Sequence, residues 1–248
     1  MSLDYLANKN PHERDSHITF DEGPHIYTID GDSNFTSVTT FNHKQFEHFD
    51  PDKIIDNMMK SSKWQTNKYY GMTKQEIKDL WDNNGKEASE AGTKMHYDIE
   101  CYYNNIQNDN DSVEYKYFLE FAKDHMHLVP YRTEWMVYHE EYKIAGSIDM
   151  IFENDDKSLS IYDWKRCKDI IKTSNWGKFS HNKLIEHIPD TNYWHYCLQL
   201  NTYKHILESK YNKIIKDMYL VCLHPDKNSY KKIKVCVLQK EVYSLLNT

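Results

Sequence analysis

Gly146-Ser147-Ile148-Asp149 and Ile161-Tyr162-Asp163-Trp164-Lys165 are the two stretches on which the reading of this chain turns. Between them Asn154-Asp155-Asp156-Lys157 has turn composition. The flanks, residues 142–152 and 159–164, are apolar and β-prone. A hairpin about that turn brings Asp149 opposite Asp163, or within one residue of it. Side chains alternate along a strand, so Asp163 and Lys165 share a face. Two close carboxylates repel each other unless a cation lies between them. Oxygen donors of this kind suit Mg²⁺ or Mn²⁺. A lysine beside them is placed to orient or activate a water, or to counter charge on a phosphate. Such a set is the equipment of a metal-dependent phosphodiesterase.

Two further segments extend the pattern. Upstream lies Gly92-Thr93-Lys94-Met95-His96, and downstream Gln199-Leu200-Asn201-Thr202-Tyr203. On predicted helices, Gly92, His96 and Glu100 share one face, as do His195, Gln199 and Tyr203. Taken in order, these are a helix with His, a strand with Asp, a strand with Asp-x-Lys and a helix with Gln and Tyr. That order resembles the PD-(D/E)XK nuclease superfamily, and within it the RecB-like exonuclease branch that includes the mitochondrial genome maintenance exonuclease. The resemblance covers roughly residues 88–208. It departs from the family name in one place, since Asp149 follows Ile148 rather than proline.

The resemblance implies an α/β, restriction-endonuclease-like core with a central mixed sheet flanked by helices. It makes Asp149 and Asp163 metal ligands, joined by His96 and the backbone carbonyl of Trp164, with Glu134 as a further acid of variable position. Lys165 becomes the catalytic lysine, and Gln199 and Tyr203 orient it and the substrate phosphate. Arg166 and Lys168, with Lys178 and Trp176 in the following loop, are expected to contact DNA. The implied cofactor is Mg²⁺ or Mn²⁺ and the implied substrate DNA, with an exonuclease working on single-stranded or end-bearing DNA in replication, recombination or repair. A structure-specific endonuclease and a catalytically silent nucleic-acid-binding module stand as alternatives.

Composition sets bounds on this reading. The chain has 248 residues, 39% of them hydrophobic and 14% aromatic, enough for a buried core. A net charge of −7 argues against broad binding to a polyanion. Five cysteines without a Cys-x-x-Cys pair point to reduced thiols and give no iron–sulfur or zinc spacing. No phosphate-cradling Gly-x-x-x-x-Gly-Lys loop is present, so no nucleotide is expected and any helicase, or replication or recombination protein, is another chain. Neither a secretory run nor a membrane span is seen, and an intracellular site, in cytoplasm, nucleus or a viral factory, is expected. Abundant Asn, Lys, Ile and Tyr suggest an AT-rich coding sequence, such as that of a large DNA virus.

Along the chain, residues 1–16 read as a loose tail. Residues 25–32 and 35–41 read as a hairpin. A helix capped by Asp50 with Pro51 in its first turn is predicted to run to Lys60. A capping box at Thr73–Glu76 opens a helix through Trp81, and a separate helix is predicted from Lys86 to Asn104. Another follows over 112–127. Strands are predicted over 132–138, 142–152 and 159–165, a polar loop over 169–190, a helix over 191–207, and last strands over 217–223 and 232–238. Residues 1–85 are expected to form an N-terminal hairpin-and-helix elaboration that guides a strand, its aromatics divided between stacking on bases and, for at least half of them, core packing, and 86–248 the nuclease core.

Overall fold

The structure, a computed structural model, describes residues 3–173 and 177–247. Its elements in order are α1 (Tyr5–Lys9), β1 (Ile18–Asp21), β2 (Ile26–Ile29), β3 (Thr36–Ser37), α2 (Val38–His43), α3 (Pro51–Lys60) and α4 (Lys74–Tyr103). There follow α5 (Val113–Asp124), β4 (Val129–His139), β5 (Ile144–Glu153), β6 (Leu159–Lys165), α6 (Asn192–Lys210), β7 (Ile215–Cys222), β8 (Lys231–Lys234) and α7 (Gln239–Leu246). The chain forms two compact units, residues 48–94 and the remainder. The boundary expected near residue 85 falls inside α4. Among the described residues no helix is long and apolar enough to cross a membrane.

The smaller unit holds α3 and the first turns of α4. Asp50 caps α3 through Lys53 N, with Pro51 at the first position. Thr73 and Glu76 close the capping box that opens α4. Lys74 ties the two helices, 2.9 Å from Asp56 and 3.2 Å from Asp52. Trp81 donates to the Tyr69 hydroxyl at 2.9 Å.

The larger unit is a mixed α/β structure around a six-stranded sheet. β4, β5 and β6 run antiparallel in turn, β6 and β7 are parallel, and β8 returns antiparallel to β7. One edge of β5 is covered by β4 along its whole length. The other edge is shared: β3 pairs with Ile144 and Ala145, and β6 pairs with residues 150–153. Between them, residues 146–149 have no strand on that side. The last β5–β6 pair is Met150 with Tyr162, so β6 parts from β5 where Asp149 and Asp163 would come next.

Two apolar cores flank the sheet. The larger joins Ile148, Ile151, Trp135, Val137 and Ile161 to Leu198, Tyr203 and Ile206 of α6 and Val242 of α7. The second joins Met150, Phe152, Tyr162 and Trp164 to Phe118 and Phe121 of α5 and to Met95 and Ile99 of α4. Along β6 the two cores alternate residue by residue, as a regular strand requires. β5 breaks that rule, because Ile148 lies in the larger core and Met150 in the second. Its partner does the same: Trp135 faces the larger core, while Thr133 accepts a hydrogen bond from Asn104, just past α4. At the switch on β4 lies Glu134, with a left-handed φ of 41°.

Several sequence expectations need correction. Within the expected loose tail of residues 1–16, the described residues 3–16 are anchored. Asp15 accepts from Arg132 at 2.7 Å and from Trp135 at 2.8 Å, and Arg14 pairs with Glu140 at 2.8 Å. The hairpin is β1 with β2, and residues 36–43 form β3 and α2. The two helices predicted on either side of residue 84 are one, α4, since the polar run between them carries no proline to stop it. The final predicted strand ends at Lys234, and α7, not foreseen, follows.

Candidate metal centre

The opening between β5 and β6 collects the polar residues. His96 comes from α4, Glu134 from β4, Asp149 from β5, and Asp163 and Lys165 from β6. Glu134 lies between Thr133, which pairs with Met150, and Trp135, which pairs with Ile148, and so it faces Asp149 across the ladder. His96, Glu134 and Asp149 offer donor atoms within 4.8 Å of one another. The His96 Nδ1 is 3.6 Å from both Glu134 Oε1 and Asp149 Oδ2.

Trp164 organises this cluster through its peptide. Its N–H donates to Asp149 Oδ2 at 2.8 Å. Its carbonyl lies 3.0 Å from His96 Nε2, and because a carbonyl only accepts, Nε2 is the protonated nitrogen. That bond turns Nδ1 toward the two acids. A histidine whose far nitrogen donates to a carbonyl is the usual arrangement for a metal ligand. The Trp164 carbonyl, expected as a metal ligand, is engaged by His96.

Asp163 is buried and faces Lys165 rather than the three converging donors. Its Oδ2 is 2.8 Å from Lys165 Nζ, at ion-pair distance but without hydrogen-bond alignment. Lys165 also lies over the Tyr196 ring, 4.7 Å from its centroid. Tyr196 was not singled out by the sequence, although it is one turn before Gln199 on the same helix. Burial works against the Lys165 charge, yet Asp163 and Asp149 outweigh it and hold the ammonium above the ordinary lysine value.

The carboxylates feel one another. Burial, and then the charge of Asp163, push Asp149 up to about 7, with His96 and Lys165 only partly offsetting them. Burial opposes a charge on His96, but Asp149 and Glu134 lift it to about 9. Glu100, one turn beyond His96, is half-buried rather than solvated, and burial with the charge of Glu134 raises it to about 7. The helix spacing from His96 was the signal for it. A divalent cation fits this donor set, two carboxylates and an oriented imidazole whose mutual repulsion it would relieve.

The outlying candidates are placed as follows. Tyr203 is buried on the far side of β5 with its hydroxyl bonded to Gln199. Its ring lies so close to Gly146 that a Cβ there would be 2.7 Å from the Tyr203 hydroxyl. Gln199 is itself 3.5 Å from Thr39 Oγ1. Arg166 is engaged by Glu114 of α5, and Lys168 and Lys178 form exposed pairs with Asp226 and Glu47. Trp176 lies outside the described residues.

No family model matches the chain, and no curated protein matches it. Among solved structures it is similar to the protein SSO0001, with 15% identity over 87% of this chain and 75% of that one and a TM-score of 0.37. It is also similar to a protein of Eubacterium rectale described as a "putative exonuclease", with 10% identity over 86% of this chain and 76% of that one and a TM-score of 0.34.

Proposed function

We propose that this chain is a divalent-metal-dependent DNA nuclease of the PD-(D/E)XK type, with a restriction-endonuclease-like core, acting as an exonuclease on single-stranded or end-bearing DNA. The observation that carries the reading is the convergence of His96, Glu134 and Asp149 where β5 and β6 part, with Lys165 beside them. His96 Nδ1, Asp149 and Glu134 would hold Mg²⁺ or Mn²⁺, and Asp163 stands beside them paired with Lys165. When bound, the metal supplies Lewis-acid polarisation of the phosphate and an acidified water. Trp164 fixes these side chains from behind through its backbone N–H and its carbonyl.

Lys165 acts as a cation. Asp163 and Asp149 favour its charged form, which suits it to orient the attacking water and counter charge on the phosphate. Asp163 sets its position and the Tyr196 ring faces its ammonium. Tyr203 and Gln199 brace β5 from the opposite face at Gly146.

The test is cleavage of an end-labelled single-stranded oligonucleotide beside a covalently closed single-stranded circle, in Mg²⁺, Mn²⁺ and chelator. The expected result is metal-dependent digestion of the linear strand, none in chelator, and a resistant circle. Full activity in chelator overturns the metal reading. Rapid cutting of the circle replaces the exonuclease with an endonuclease that uses the same residues.

A further inference from the structure

Seven non-glycine residues have a left-handed backbone among those described. Six lie in turns or just past helix ends. Glu134 alone is inside a strand, the eleven-residue β4. A non-glycine residue held there costs roughly 1–3 kcal/mol and persists only where its surroundings impose it. What is imposed can be read from its side chain. Glu134 Oε2 accepts a hydrogen bond from Ser147 Oγ at 2.8 Å, while Oε1 points to His96 Nδ1 at 3.6 Å. One oxygen is fixed and the other is presented to the metal centre.

Ser147 is well placed to do the fixing. It is two residues before Asp149 on β5, and the two side chains reach one cluster, Ser147 at Glu134 and Asp149 at His96. Its backbone is registered to Met136 of β4, and its peptide lies against the buried Tyr27 hydroxyl of β2. The neighbouring Gly146 is pinned by Tyr203. The serine hydroxyl is therefore anchored from both sides of the strand.

We infer that Ser147 is a positioning residue that holds Glu134 as a one-oxygen ligand of the divalent cation. The inference rests on the reading that a cation binds between His96, Glu134 and Asp149. Removing an outer partner of a metal ligand weakens metal affinity about 10–100-fold. Ser147 then sets how tightly the site holds its metal, and it acts only through Glu134.

The experiment is calorimetric titration of the full chain with MnCl₂, with metal-free melting as the folding control. Ser147→Ala is expected to weaken Mn²⁺ binding about tenfold with the metal-free melting temperature unchanged. In a Glu134→Gln background the same change should have no further effect. Ser147→Thr and Ser147→Val have nearly one shape and differ by the hydroxyl. The threonine should bind as wild type and the valine as Ser147→Ala, which keeps the test alive should alanine fail to fold. If Asp149→Asn abolishes binding but Ser147→Ala and Ser147→Val leave it intact, the inference is wrong and the metal reading stands. An equal loss from Ser147→Ala in both backgrounds also overturns it. If Asp149→Asn binds Mn²⁺ as wild type does, the metal reading itself falls.

Discussion

The two halves of the β5–β6 hairpin are made of the same strands and behave differently. In the turn half, residues 150–153 pair with 159–162, and Ile151 and Ile161 face one core while Met150 and Tyr162 face the other. In the open half, residues 146–149 and 163–165 have parted, and the side chains there are Ser147, Asp149, Asp163 and Lys165. The closed half is apolar, doubly covered and cross-linked by backbone hydrogen bonds. The open half gathers like charges that a regular ladder would set side by side and bury. Separation of this kind lets one strand pair carry both a core and a site, because the repulsion in one half is borne by packing in the other.

The strongest way to break this comparison is to exchange the consequences of the two halves. Lys165→Ala should lower DNA hydrolysis by roughly 10²–10³-fold, the usual loss for one positioned transition-state contact, and leave melting little changed. Ile161→Ala, fully buried one turn of the pleat away, should cost about 2–5 kcal/mol of stability in chemical denaturation. Its Mn²⁺ affinity, measured where the variant is folded, should stay at the wild-type value. A Lys165→Ala protein that hydrolyses DNA at the wild-type rate, or an Ile161→Ala protein that keeps its stability, would erase the distinction.

A sharper test uses pH in metal-free buffer. Asp149 is raised from 3.8 to about 7, so between those values the folded chain binds more protons than the unfolded one, and stability falls as pH rises. His96, raised from 6.5 to about 9, stabilises fully below 6.5 and loses that contribution as pH climbs to 9. Both groups act in one direction. Their contribution to the melting temperature should therefore decline from pH 4 to 9, and Asp149→Asn, which removes the acid and much of what lifts His96, should make the slope of the curve less negative than the wild type's. An Asp149→Asn curve parallel to the wild type's over that window would show that the open half is not under electrostatic load.

The smallest effect concerns backbone rather than charge. Glu134→Gly accepts the left-handed φ without strain and should gain about 1 kcal/mol in metal-free stability, less what glycine costs in a strand. It should lose Mn²⁺ binding at the same time. A variant that is both less stable and still able to bind metal would mean that the conformation of Glu134 does not serve the site.

What the sequence disclosed follows the same division. Alternation and turn composition located the hairpin, and the register of Met150 with Tyr162 extends to Asp149 with Asp163 as the spacing implied. The caps at Asp50 and Thr73 were equally local and equally visible. What escaped was the parting of the strands and the change of face at Glu134, since a left-handed glutamate has no signature in its neighbours. Tyr196 and Ser147 escaped, and the burial of Glu100 with them, for a related reason. Their importance comes from residues distant in sequence, namely Lys165, Glu134 and again Glu134. The anchoring of residues 10–15 on β4 depends on Arg132 and Trp135 and was likewise beyond local pattern.

The gap along one edge of β5 has a consequence for how the sheet exchanges its amide protons with solvent. Pairing covers that edge at residues 144–145 and 150–153 and leaves 146–149 without a strand partner. Deuterium uptake should then be slow at both ends of a single strand and faster in its middle, the reverse of the fraying expected when a strand opens from its tips. Protection restored at that mid-strand window on adding Mn²⁺ would report occupancy of the centre by a physical clock, without any substrate being cut.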